Sequence, residues 1–97
     1  MDVCKVVGQA VSTAKDDGLR GLALLLVREA EPDGTLTDKA LFAATNTVGA
    51  GDGELVLVAR GSAARATQRT RDIPADAAIV AILDSLSVEG SVTYRKT

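Results

Sequence analysis

Histidine is missing from this 97-residue chain, tryptophan is absent, and cysteine occurs once, at Cys4. Without imidazole or a second thiol there is no disulfide within the chain, no zinc site of the Cys/His kind and no histidine-based acid/base pair. A single thiol also fits a reducing, cytosolic setting. One Phe (Phe42) and one Tyr (Tyr94) provide no row of platforms for stacking bases, and a net charge of −2 gives no electrostatic pull toward nucleic acid or an anionic membrane. Apolar runs such as residues 22–27 are far short of the ~20 residues of a membrane helix. The start, MDVCKVVGQA, has an acidic second residue and a valine-rich pattern in place of a basic region and cleavage site, so a soluble intracellular chain is expected.

What is present is a series of short apolar segments divided by turn residues. Residues 3–11 are rich in valine and interrupted by Gly8, where a strand would bend or bulge. Asp16, Asp17 and Gly18 make a turn before a strand over 19–29. Pro32, Asp33 and Gly34 supply strong turn chemistry, so the chain is expected to return through 41–47. A strand over 54–60 follows a glycine-dense loop, and Ser62 is placed to cap a short helix through Ala63, Ala64, Arg65 and Ala66. The polar stretch 67–72 leads to Pro74 and another apolar run, 77–86, and residues 91–95, with Val92 and Tyr94 on one face, read as a last short strand. Strands at this spacing predict one small all-β domain, a barrel or sandwich.

At this length a chain buries only roughly 60 to 65% of its unfolded surface, so association would help it. The strands point the same way. A half-buried strand alternates apolar and polar residues, but LALLLV (22–27) and AIVAIL (78–83) are apolar on both faces. With no long helix to cover the outer face, a neighbouring subunit is the natural cover. The run at 77–83 also permits a helix, since short apolar runs are ambiguous.

The segment NTVGAGDGELVLVARGSAAR, 46–65, concentrates the candidate chemistry. Gly49, Gly51 and Gly53 belong where backbone takes positive φ or passes close to another backbone, so the loop either cradles a ligand or packs against protein. Phosphate-binding glycine loops open a helix whose free amides face the anion. Here a strand follows, no GK[ST] is present, and Asp52 and Glu54 would repel an anion, which favours packing. Asp76 and Asp84 flank the 77–83 run as strand-end or interface residues. Arg60 and Arg65 could clamp a carboxylate; lacking a nucleophile and base beside them, a neighbouring chain is the better target than a substrate. Ser62 lacks a G-x-S-x-G setting, and Cys4 reads as a buried small residue. A ligand-binding barrel for a phosphorylated metabolite, or an enzyme with two converging carboxylates, are the rival readings.

VVGQAVSTAK (6–15), GLRGLALLLV (18–27), NTVGAGDGELVLVARGSAAR (46–65) and IPADAAIVAILD (73–84), in that order, resemble the pentameric vertex shell proteins of bacterial microcompartments, the ethanolamine-utilisation and carboxysome type. Two positions depart from that pattern: Asn46 stands where aspartate is usual, and Ala81 where glycine is common. The resemblance spans about residues 3–84 and leaves 85–97 as a C-terminal strand or tail. It implies an all-β fold, a small closed β-barrel of oligonucleotide-binding type with one short helix after the fourth strand. It further implies a homopentamer that meets hexameric shell proteins in the cytoplasm, with no catalysis, cofactor, metal, nucleic acid or membrane. Candidate contact or pore residues are Asn46, Val48, Gly49, Ala50, Gly51, Gly53, Glu54, Arg60, Gly61, Ser62, Arg65 and Asp76.

Overall fold

A computed structural model describes residues 1–11, 17–19, 23–66 and 76–97. The strands are β1 (Asp2–Ala10), β2 (Ala23–Glu29), β3 (Phe42–Asn46), β4 (Leu55–Arg60), β5 (Ala77–Ile82), β6 (Ser85–Val88) and β7 (Ser91–Arg95). The first five close into a barrel in the order β1-β2-β3-β5-β4, and β6 and β7 pair only with each other. All barrel pairings are antiparallel except β3 with β5, which has just two registered pairs, Thr45 with Ala78 and Asn46 with Ile79. Two hydroxyls reinforce that short seam: Thr45 donates to the Ala77 carbonyl (3.4 Å) and Thr47 to that of Ile79 (2.9 Å).

The apolar run after Ala77 is therefore strand, not helix. The register of β1 shifts between Val6 and Gly8, as the glycine inside the valine run implied. Further along, Asp17–Leu19 is a 3-10 helix, so Leu19 stands outside β2, and the expected turn residue Asp16 and the stretch at 67–75 lie outside the described residues. The short helix after β4 is a 3-10 helix, Gly61–Arg65. It does not use Ser62 as its cap. The cap position falls on Arg60, with no side-chain cap hydrogen bond, which leaves Ser62 inside the first turn.

Strand alternation fills the barrel. Cys4, Val6, Leu25, Val27, Ala44, Val56, Val58 and Ile79 point inward into one cluster, with Phe42 and Ile82 packed against it. A second buried layer lies outside the barrel wall: Leu55, Ala59, Ala64 and Ala78 are all at 1% exposure or less. Ala59 and Ala78 are registered partners, and the 3-10 helix packs across β4 and β5 to bring Ala64 onto them. Three alanines let the backbones approach closely. Leu55 is covered by the Glu31 to Gly34 turn, since a Cβ on Gly34 would lie 3.6 Å from Leu55 Cδ1 and 3.0 Å from Tyr94 Cδ1. Gly34 also has φ of +91°, so this turn requires glycine on both counts. The chain thus covers much of the outer face of β4 and β5 by itself, where the sequence reading had called for a subunit.

The hairpin β6–β7 is the element that the sequence reading missed in part, having only its second strand. Its turn residues are Glu89 (φ +51°) and Gly90 (φ +83°), the left-handed pair of a two-residue hairpin loop. Tyr94 ties the base of the hairpin to Gly34, and the Lys96 amide donates to the Asp84 carbonyl (2.8 Å).

Candidate functional site

The loop between β3 and β4 is stiffened by its own polar groups. Asn46 bonds Ala50 twice, donating from Nδ2 to its carbonyl and accepting at Oδ1 from its amide, both at 3.0 Å. A carboxylate at this position would keep the acceptor and lose the donor, so asparagine is suited to this loop. Ala50 is drawn into the barrel end, at 8% exposure. Farther along, Glu54 Oε1 accepts from the Gly51 amide (2.7 Å), and the Gly53 amide bonds the Val6 carbonyl (2.8 Å), continuing the β1 ladder.

The three glycines are not equivalent. Gly49 (φ +77°) and Gly53 (φ +83°) take a backbone conformation that side chains resist, whereas Gly51 does not. Among the described residues, and apart from their own chain neighbours, no atom stands within 4 Å of where a Cβ would lie on Gly49, Gly53 or Gly61. Gly51, Gly53 and Val48 are exposed. Among the described residues of a single copy, then, the space beside Gly49 and Gly53 is open.

Glu54 links this loop to the C-terminal segment through an ion pair with Lys96 Nζ (2.5 Å). The hydrogen bond from Lys96, and after it that from the Gly51 amide, hold the Glu54 carboxyl below its usual range. Lys96 is raised by the same partner.

At the far end of β4, Arg60 is already engaged. Its Nε pairs with Asp2 Oδ2 (2.9 Å), and its guanidinium lies 3.6 Å from the Phe42 ring centroid. Beside it, Lys39 pairs with Glu29 (3.1 Å). These groups, with Ala40 and Leu41, line an open cavity of about 360 Å³. Its two acids and two bases neutralise one another inside the chain. Among the described residues no three His, Cys, Asp or Glu side chains converge on a metal position, and no helix is long and apolar enough to cross a membrane.

The remaining candidates are placed around the 3-10 helix. Gly61 (φ +62°) donates its amide to the Asp76 carbonyl (2.7 Å), while Ser62 and Arg65 are exposed on that turn. Asp76 and Asp84 do act at strand ends, through backbone carbonyls. Cys4 is fully enclosed, and burial, followed by the charge of Asp2, pushes its thiol up to about 11. It is a neutral core residue at physiological pH, with no nucleophilic character.

Comparison with known proteins agrees with this geometry. The family model described as "Ethanolamine utilisation protein EutN/carboxysome" matches residues 1–84. The carboxysome shell vertex protein CcmL of Nostoc sp. strain PCC 7120 is 48% identical over 99% of this chain and 95% of its own length. Its solved structure superposes with a TM-score of 0.91, at 45% identity over 99% of this chain and all of that one. The microcompartment shell vertex protein EutN of Escherichia coli K12 is 34% identical over 99% of this chain and all of its own. The pentameric microcompartment shell protein GrpN of Rhodospirillum rubrum superposes with a TM-score of 0.79, at 39% identity over 91% of this chain and 99% of that one.

Proposed function

The chain belongs to the EutN/CcmL family, and from that membership we propose that it is a structural shell protein whose pentamers cap the fivefold vertices of a bacterial microcompartment. It is not an enzyme; its relatives are shell vertex proteins, and the role is geometric. A sheet of hexagonal tiles cannot curve into a closed polyhedron without fivefold positions. Five copies joined head to tail close a ring that supplies one. The surrounding partners are hexameric shell proteins, the location is the shell of a microcompartment in the cytoplasm, and the whole chain acts as one barrel domain with its hairpin.

The observation that carries this reading is the overlap with the Nostoc vertex protein across nearly the entire chain, β6–β7 included. The native mass of the purified assembly tests it. Five chains of 10.0 kDa each are expected, and a stable monomer overturns it.

Within the ring, the loop at 48–54, anchored by Asn46, and the segment at 60–65 with Asp76 lie at or near contacts between copies. Supporting this are the stiff, outward-facing backbone of the loop and the open space beside Gly49, Gly53 and Gly61. Gly51→Val is the informative variant. A Cβ at Gly51 meets only Glu54 Oε1, at an ordinary 3.6 Å, so the chain accommodates a side chain there. The expected outcome is a disrupted ring with the fold retained. A normal pentamer would remove the loop from the interface while leaving the vertex role intact.

A further inference from the structure

The hairpin β6–β7 stands apart from the barrel that carries it. It pairs with no barrel strand, and a two-stranded hairpin by itself is at best marginally stable in water. None of its residues is buried: Leu86, Thr93 and Tyr94 are half-buried and the others are exposed. It is nonetheless a closed unit. Leu86 is the registered partner of Tyr94, the Thr93 hydroxyl donates to the Leu86 carbonyl (3.3 Å), and the Lys96 amide donates to the Asp84 carbonyl (2.8 Å), which shuts its base. The barrel keeps hold of the backbone as far as Leu83, whose amide donates to the Leu55 carbonyl (2.9 Å). One bonded piece therefore ends at Leu83 and the next begins at Asp84.

Beyond that point the hairpin is held by side chains. Tyr94 lies against Gly34, so close that a Cβ there would sit 3.0 Å from its Cδ1, and Lys96 Nζ pairs with Glu54 Oε2 (2.5 Å). Lys96 is exposed, and an ion pair at such a position holds weakly. Glu54 is also shared. Its other oxygen, Oε1, accepts from the Gly51 amide (2.7 Å), so one carboxylate joins the base of the hairpin to the glycine loop.

We propose that residues 84–96 form a hinged arm, pivoting after Leu83 between this latched position and a released one, and that Glu54 transmits the position of the arm to the glycine loop. Elements with little buried surface open well below the free energy of global unfolding, and a short hinge beside a rigid sheet lets them move as one piece. When Lys96 leaves, Glu54 loses the partner that fixes its side chain, and the Gly51 amide shares that carboxylate with water. The coupling is reciprocal: whatever holds the loop in place favours the latched arm by the same factor. It acts inside one copy and does not rest on the ring, so its failure leaves the vertex role untouched.

Hydrogen exchange at single amides of the native assembly tests it. Amides of β6 and β7 are expected to exchange faster than those of β4, and without the steep denaturant dependence that global unfolding gives. Lys96→Met should speed hairpin exchange about two- to fivefold, while Lys96→Arg should leave it near the native rate. Tyr94→Ala should speed it further. Among the described residues Tyr94 makes no hydrogen bond to the loop, yet releasing the arm through this second contact should also quicken exchange of the Gly51 amide. Hairpin amides as slow as those of β4, or as fast as those of an unstructured peptide, would overturn the latched arm. A Gly51 amide that exchanges at the native rate in both Lys96→Met and Tyr94→Ala would overturn the transmission through Glu54.

Discussion

The outer wall of the barrel has two halves with different fates. Over β4 and β5 the chain covers itself: the 3-10 helix sets Ala64 on Ala59 and Ala78, and the Gly34 turn with Tyr94 closes over Leu55. Over β1, β2 and β3, Leu24 and Leu26 are only half-buried, Val7 and Ala43 are exposed, and Arg28 Nε lacks an acceptor. Both halves are apolar in sequence. The lesson is that an apolar outer face signals a need for cover without saying who provides it, and that small residues mark the side covered from within.

The largest expected contrast comes from leucine truncation. Leu55→Ala on the covered side should cost the isolated chain about 2–5 kcal/mol, as for a fully buried leucine. Leu26→Ala on the open side should cost it well under half as much while weakening the ring. Urea unfolding at a concentration where the ring is dissociated measures both, and equal losses would erase the distinction between the two halves. Overpacking sharpens it further. Ala78→Leu should destabilise the chain by about 1–3 kcal/mol by pushing the 3-10 helix off the wall. Ala43→Leu should leave chain stability unchanged, so a comparable loss there would mean that the open face is already filled.

The smallest effect concerns the strap between the glycine loop and the C-terminal segment. Because Lys96 and the Gly51 amide hold the Glu54 carboxyl below its usual range, the pair stabilises the fold above that range. This contribution disappears as pH falls through the lowered value. On the alkaline side it persists until pH rises through the raised value of Lys96. Lys96→Met should therefore be slightly less stable than the native chain at neutral pH and equal to it in acid. Tyr94, the single tyrosine and in contact with Gly34, reports the hairpin base by its fluorescence. A difference that persists in acid would exclude the ion pair as its cause.

Much of the barrel was legible before its coordinates. The break at Gly8, the turn at Pro32 to Gly34, the strand after the glycine loop and the buried Cys4 all follow from local chemistry. Ser62 was misplaced because a 3-10 turn starting at Gly61 needs no side-chain cap in this setting, and a serine beside a glycine looks the same either way. The first strand of the hairpin was missed because SLSV is short and half polar; its signal was the Glu89-Gly90 pair between Val88 and Val92. Arg60 read as a free clamp because its partner, Asp2, is far away in sequence and adjacent only across β1 and β4.

By itself the sequence determined the kind of molecule: strands spaced for a barrel, no catalytic imidazole, and glycine and alanine blocks that match one family. Those properties are local, since turn preference, strand alternation and side-chain chemistry are set by residues near one another in the chain. Tertiary structure alone decided which apolar face is covered, which of the described charges are paired and which buried nitrogen, Arg28 Nε, lacks an acceptor. Each of these depends on what the closed barrel brings together from distant segments, and pairing across 30 or more residues, as between Asp2 and Arg60 or Glu54 and Lys96, leaves no local trace.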